Sequence, residues 1–487
     1  MPSPKNLVIL MSDEHNPRML GCYGHPLVQT PNIDALAARG TRFSAAYCNS
    51  PVCVPARASF ATGRYVHQIG YWDNAHPYDG RVESWHHRLR ATGHRVDSIG
   101  KLHFRSTEDD VGFSESQIPM NVIEGKGDLM GLVRDQLPVR GASWKMADFA
   151  GPGESMYTTY DREITARSQV WLREEAPRHQ DAPWVLFVSF VCPHFPLTAP
   201  PEHYYRYYND SALEMPKLYA KDERPDHPYL REYAESFNYD DYFDTPEKVR
   251  AALAGYMGLC SFVDENVGKV LETLDDCGLN DDTVVMYLSD HGDNVGARGL
   301  WGKSNMYEEV VGVPWVMAGP GVPENTVCRT PVSHVDTYPT VLECAGVPLN
   351  ERERTELPGG SLFEVANGRH DTRTVFAEYH GMGSTAAFYM LRDRRYKYVY
   401  YIKYPPQLFD LEKDPEELVD RADDPAYADI RADLDRQLRA VVDPEATDER
   451  AKRDQAALME KHGGREAVIA RGDLGFSPPP GVAIDLQ

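Results

Sequence analysis

The sequence predicts an α/β protein: a mostly parallel central sheet flanked by helices, followed by a smaller C-terminal α+β domain that contains an antiparallel sheet. Three observations carry this. Apolar, β-branched runs too short for buried helices recur between residues 7 and 319. Amphipathic segments separate them, and strands alternating with helices build a parallel sheet covered on both faces. After about residue 370 the strand runs follow one another without helices between them, which is an antiparallel texture.

In chain order, LVILM (7–11) reads as a buried parallel strand. PNIDALAARG (31–40) reads as a short helix with Pro31 near its start and Gly40 as its stop. A strand near RVDSIG (95–100) precedes Lys101. A helix over 160–174 leads to the strand WVLFVSF (184–190), and a long helix near 247–276 leads to TVVMYLSD (283–290). VPWVMAG (313–319) is a further buried strand. VFAEYH, AFYMLRD and YKYVYYI supply the antiparallel strands, and ADIRADLDRQLRAVV (428–442) is a helix.

These segments divide the chain into a larger α/β domain over 1–370, a smaller α+β domain over 371–463 and an extended tail over 464–487. A chain of 487 residues exceeds what one core usually holds. Within the first domain, 200–246 is rich in tyrosine and acid and poor in periodicity, and is read as a lid, an insertion or an oligomer contact. The proline-rich end GFSPPPGVAIDLQ (475–487) cannot be a helix in its proline part. It is read as an arm reaching a neighbouring subunit or as a disordered end. No internal repeat is present.

Charge narrows the partners. A net charge of −23 argues against nucleic acid and anionic membranes, which both need a basic footprint. An acidic protein that binds an anion must gather its Lys, Arg and His locally. The eight cysteines have no paired spacing, so reduced thiols are expected. No apolar run is long enough to span a bilayer, and no charged-then-apolar leader precedes the first strand. A cytoplasmic protein is expected.

The most informative stretch is CVPARASFATG (53–63). Pro55 suits the first turn of a helix, which places Cys53 at the helix N-terminus, where free N–H groups and the dipole favour negative charge. Arg57 lies one turn on, on the same face. Elsewhere, Asp13, Lys101, His194 and Asp290 each follow the C-terminal end of a predicted strand, where ligands collect in such sheets. Asp13 and the pair Asp290-His291 offer two carboxylates and an imidazole, which suit Ca²⁺ or Mn²⁺. Lys101 and His103 alternate, so an extended backbone would send both to one face. His194, in CPHFP, sits in a loop stiffened by prolines. Each of these residues also has an ordinary structural reading when taken alone, as a cap, a turn former or a solvated side chain.

C-x-P-x-R closed by Thr62-Gly63 resembles the signature of the type I sulfatases, in the alkaline phosphatase superfamily. The resemblance extends through G-K-x-H at 100–103, His194, the Asp290-His291 pair and G-K…Y-E around Lys303, and more loosely through 396–411. It implies an alkaline phosphatase-like fold and oxidation of Cys53 to Cα-formylglycine, whose hydrate is the nucleophile. It implies one divalent cation, Ca²⁺ before Mn²⁺, on Asp13, Asp290, His291 and the modified Cys53. Glu14 stands where animal relatives usually have a second Asp, and His291 where they have Asn, so whether Glu14 ligates is left open. Asn74 matches an amide of the choline-sulfatase and phosphonate-hydrolase branch.

The implied reaction is hydrolysis of a sulfate monoester. The metal and Arg57 hold the diol, and Lys101, Lys303 and Asn74 spread the anionic charge. Asp290 takes a proton as the diol attacks sulfur, and His194, assisted by Lys303, protonates the leaving alcohol. His103 deprotonates the second hydroxyl, and sulfate leaves. The implied partners are a small anionic sulfate ester, a formylglycine-generating enzyme and a second copy of the chain, as a dimer or tetramer. Two other readings stand beside this one. One is a phosphonate monoester or phosphodiester hydrolase on the same site, which the cationic Lys101 and His103 argue against. The other is a non-catalytic binding protein that keeps Cys53 as a thiol. Trp72, Trp144 and the tyrosines of 200–246 are candidate pocket walls, and Met382 lies near an expected substrate loop.

Overall fold

The structure is a computed structural model, and it describes residues 4–369, 372–473 and 475–482. Eight strands form the central sheet: Asn6–Asp13 (β1), Gly40–Phe43 (β2), Val96–Lys101 (β3), Glu115–Met120 (β4), Val185–Pro193 (β5), Thr283–Ser289 (β6), Trp315–Ala318 (β7) and Thr326–Cys328 (β8). Their order across the sheet is β8-β2-β7-β6-β1-β5-β3-β4. All neighbours are parallel except β7, which runs antiparallel to β6 and β2. This is the mostly parallel sheet expected, with VPWVMAG as its one reversed strand.

Register places the site. Ser12 pairs with Ser289, Asp13 with Pro193, and Gly100 with Ser189. Four adjacent strands therefore end together, and Asp13, Lys101, His194 and Asp290 leave the same edge. Leu7 to Met11 are fully buried, so a one-residue slip in β1 would face Asp13 away from its neighbours. Helices Met156–Glu174 and Pro246–Asp276 pack on each other and on β5. Helix Cys53–Thr62 is anchored by Phe60, which stacks on Phe187 with centroids 5.5 Å apart.

Gly40 differs from the expected helix stop. The helix is Pro31–Ala38, and Gly40 opens β2, where an added Cβ would lie 2.2 Å from the Met317 carbonyl oxygen. Close approach of two strands requires glycine here.

The C-terminal sheet has four antiparallel strands, Val375–Tyr379 (β9), Phe388–Arg392 (β10), Tyr396–Tyr401 (β11) and Gln407–Asp410 (β12). Helix Ala428–Val441 buries Leu434 and Leu438 against this sheet. Helix Pro444–Lys461 follows. The extended tail expected from residue 464 instead begins with helix Gly464–Ala470, whose Val468 packs on Leu129, Leu132 and Val133. Residues 475–482 do not reach away: Tyr157 donates its hydroxyl to the Ser477 carbonyl at 2.7 Å on the same chain. The arm's last residues, 483–487, lie outside the described residues. Among the described residues no helix is long and apolar enough to cross a membrane, and none of the eight cysteines is in a disulfide.

Candidate active site

Helix Cys53–Thr62 begins at Cys53 after an extended Val52, and Gly63 closes it in the left-handed region at φ 64°. Cys53 and Arg57 are buried. Arg57 reaches the sheet edge and ties it together. Its Nε donates to Asp290 Oδ2 and its Nη2 to Asp13 Oδ2, both at 2.8 Å. Its Nη1 donates to the Lys101 carbonyl at 2.8 Å and to Ser189 Oγ at 2.9 Å. One guanidinium thus fixes groups on or just after four adjacent strands, in a multidentate manner that arginine permits and lysine does not.

Asp13, Cys53, Asp290 and His291 converge: one ligand atom from each lies within 4.8 Å of the others, and all four residues are buried. His291 Nδ1 donates to the Gly292 carbonyl at 2.8 Å, so its Nε2 lone pair faces Cys53 Sγ at 3.1 Å. That tautomer is the one a metal ligand needs. Burial alone would raise the Asp13 carboxyl, but Lys101, 2.8 Å away, and Arg57 hold it well below the usual range. Asp290 is raised by burial and by the neighbouring Asp13 charge. The donor set of carboxylates and an imidazole fits a divalent cation.

Glu14 belongs to a second group, with Asp13 and His194. Its Oε2 accepts from Lys303 Nζ at 3.0 Å and lies 3.2 Å from His194 Nε2, while its Oε1 is buried without a hydrogen-bond partner. Burial pushes the carboxyl up to about 8, against the pull of Lys303. Its backbone is left-handed at φ 65°, held by a hydrogen bond from the Glu14 amide to Asp290 Oδ1 at 3.1 Å.

Lys303 reaches Cys53 Sγ at 3.3 Å and His194 Nε2 at 3.1 Å. His194 is held well below its ordinary range by burial and then by Lys303, so its imidazole is neutral. His103 is likewise kept neutral by burial and Lys101. Its Nε2 meets Ser477 Oγ at 2.9 Å, and its Nδ1 has no partner. Lys101 and His103 both line the pocket, but not by strand alternation: β3 ends at Lys101, and His103 turns in at φ 55°. Asn74 accepts the Val54 amide through Oδ1 at 3.1 Å. The Cys53 thiol is pushed up to about 12 by burial and then by Asp13, so it is not a thiolate at neutral pH.

The charged and polar residues singled out in the sequence, with Cys53, meet at this edge. The pocket above them has walls of which the sequence indicates only the tyrosines of 200–246 and the neighbourhood of Met382. Tyr233, Phe237 and Tyr239, from the tyrosine-rich 200–246 stretch, line it, as does Met382. Asp128, Arg140, Asp473 and Phe476 complete the outer wall. No motif marks these residues. Trp72 and Trp144 are not part of the lining: Trp72 donates to Asp454 at 2.8 Å, and Trp144 packs on Phe149.

Comparisons with known proteins agree with this geometry. A sulfatase family profile matches residues 5–347, and one described as N-sulphoglucosamine sulphohydrolase, C-terminal, matches residues 296–443. A choline-sulfatase of Rhizobium meliloti (strain 1021) is 33% identical over 464 residues, spanning 93% of this chain and 89% of the relative. Arylsulfatase K of Bos taurus is 29% identical, spanning 91% and 82%. A crystal structure of the phosphonate monoester hydrolase of Agrobacterium radiobacter superposes with a TM-score of 0.72 at 26% identity, covering 90% of this chain and 95% of that one. The chain belongs to the sulfatase family, in its type I, alkaline phosphatase-like branch, and is a sulfuric ester hydrolase.

Proposed function

We propose that this chain hydrolyses sulfate monoesters with Cα-formylglycine, formed from Cys53 by a formylglycine-generating enzyme, beside one divalent cation. The observation that carries the reading is the buried convergence of Asp13, Cys53, Asp290 and His291 within 4.8 Å, with Arg57 clamping both carboxylates. Asp13, Asp290, His291 and the group at position 53 would hold the cation, Ca²⁺ before Mn²⁺, which when bound would supply Lewis-acid polarisation. The hydrated aldehyde supplies a hydroxyl nucleophile, which the neutral, buried Cys53 thiol does not.

The chain's own residues do the rest. Lys101, Lys303 and the Asn74 amide line the space over Cys53 and bind the sulfuryl oxygens. Asp290, raised by burial, accepts the nucleophile's proton. The His194–Lys303 pair protonates the departing alcohol, and His103, a neutral base, serves the release of sulfate. With the Glu14 carboxyl pushed up to about 8, Asp13 and Asp290 face the three cations Arg57, Lys101 and Lys303, so the site's own side chains favour an anionic ester.

The test is kcat/KM for an aryl sulfate beside a phenyl phosphonate monoester, with protein co-expressed with a formylglycine-generating enzyme. Preference for the sulfate is expected. Preference for the phosphonate would keep the nucleophile and metal but overturn the substrate class, and with it the role given to Lys101 and His103.

A further inference from the structure

Arg140 lines the same pocket, away from the cation ligands, and is 5% exposed. Its Nη2 donates to Asp128 Oδ2 at 2.9 Å and to Asp473 Oδ1 at 2.8 Å. Its Nε and Nη1 have no hydrogen-bond partner. The two carboxylates are otherwise engaged: Asp128 Oδ1 accepts the Gly131 amide at 3.3 Å, and Asp473 Oδ2 accepts the Ala142 amide at 3.0 Å. The Arg140 amide is pinned to the Ser236 carbonyl at 2.7 Å, so the side chain projects from a fixed backbone.

This cluster is joined to the reaction centre through successive contacts. The Val54 amide, next to Cys53, donates to Asn74 Oδ1, and the Asn74 carbonyl accepts the Asp128 amide at 3.2 Å. The space between is walled by Tyr233, Phe237, Met382 and Phe476. The leaving group of any ester held over Cys53 therefore meets an aromatic and thioether wall on its way to a guanidinium whose Nε and Nη1 are buried without an acceptor.

The chemistry of the cluster selects among leaving groups. Buried N–H donors demand acceptors. A trimethylammonium group accepts no hydrogen bond, and neither does a bare aryl ring, so both leave Nε and Nη1 unpaired. An anionic group meets two carboxylates already sharing the one guanidinium. A hydroxyl does both things the cluster asks: its oxygen accepts from Arg140, and its hydrogen donates to Asp128 or Asp473. The apolar wall suits the C–H face of a hydroxylated ring.

We infer that the outer pocket is a sugar subsite, in which Arg140, held by Asp128 and Asp473, binds ring hydroxyls of a sulfated pyranose. The inference rests on the sulfuric-ester reading of the same pocket. Arg140 is a specificity residue in this scheme, remote from the sulfur.

The test is kcat/KM for glucose and galactose monosulfates, sulfated in turn at each hydroxyl, beside cyclohexyl sulfate, choline sulfate and 4-nitrophenyl sulfate. At least one pyranose sulfate is expected to exceed cyclohexyl sulfate and choline sulfate by about tenfold or more, since sites built to bind a hydroxyl reject the analogue lacking it. Arg140→Met and Arg140→Lys should both bring the pyranose-to-cyclohexyl ratio toward one. The lysine variant keeps a cation for Asp128 and Asp473, so its fold should survive, and thermal melts check this. Choline sulfate or cyclohexyl sulfate as the best substrate overturns the inference, as does an unchanged ratio in the folded lysine variant; either leaves the sulfatase reading standing. No turnover of any sulfate ester by formylglycine-containing protein strikes the sulfatase reading itself, and the inference with it.

Discussion

Lys303 Nζ lies 3.1 Å from His194 Nε2, and the other ring nitrogen of His194 is committed to the Phe195 carbonyl at 2.7 Å. The imidazole is therefore the acceptor of the pair, and the ammonium holds its proton. The neighbouring acidic groups, Glu14 and Asp13 among them, hold Lys303 well above its ordinary range in spite of burial. The sequence suggests a histidine acid assisted by lysine; in this geometry the proton sits on Lys303 and His194 accepts its hydrogen bond.

His194→Ala and Lys303→Ala should each lower kcat/KM for an alkyl sulfate by about 10²–10⁴, the usual worth of a positioned acid. The loss should be much smaller for 4-nitrophenyl sulfate, whose leaving group needs little protonation. Steady-state rates on the two esters decide it. Equal losses would remove the pair from the leaving-group role.

Activity should track the state of residue 53. The thiol is buried among Asp13, Asp290 and Lys303 and pushed up to about 12, so unconverted protein has no nucleophile near neutral pH. Conversion makes the peptide about 18 Da lighter. Across preparations with different extents of conversion, specific activity should rise in proportion to the lighter peptide, measured by mass spectrometry of a digest. Cys53→Ala should be inactive. Activity in fully unconverted protein would overturn the nucleophile assignment.

The inner site was legible because its residues sit in short segments fixed by backbone geometry. Cys53 and Arg57 are one helical turn apart, and Asp13, Lys101, His194 and Asp290 follow four strands that the sheet brings side by side. A strand-end position is a local property, so it survives without knowledge of the whole fold. The outer wall was not legible. Asp128, Arg140, Asp473 and Phe476 come from irregular segments more than 300 residues apart at the extremes, and only packing brings them together. The same reason hid Ser477 against His103: nothing in GFSPPP shows that it folds back on its own chain. The reversed β7 reads like its parallel neighbours because a strand buried on both faces carries no sign of its direction.

Metal binding and stability should be coupled at Asp13, Asp290 and His291. Asp13→Asn and His291→Ala remove ligand atoms from the four-residue group and should each abolish stoichiometric divalent metal, measured by elemental analysis of dialysed protein. In the unsubstituted protein, chelation should lower the melting temperature by several degrees, and Ca²⁺ or Mn²⁺ should restore it, because a ligand that binds only the folded state stabilises it. Which of the two restores activity at the lower concentration identifies the working ion. Full metal content in both variants would move the site elsewhere.

The contact between the C-terminal sheet and the segment around His67 should carry a measurable acid dependence. Glu378, on β9, is fully buried; it accepts from the His67 amide at 2.8 Å and faces His67 Nδ1 at 2.9 Å and His380 Nε2 at 3.0 Å. Burial alone would raise its carboxyl, but the His67 charge and the hydrogen bonds outweigh this and lower it from 4.5 to about 2. A carboxylate depressed on folding contributes stability that is fully present above its unfolded value. That contribution is lost as pH falls through the folded value. The window here runs from about pH 4.5 down to about pH 2, and the contribution is about 3 kcal/mol at 1.36 kcal/mol per unit. Glu378→Gln should therefore be less stable than the parent protein at pH 5 in denaturant titrations. The gap between the two should close steadily as pH is lowered toward 2. A gap independent of pH over that range would mean that the hydrogen bonds, and not the charge, hold β9 to the segment around His67.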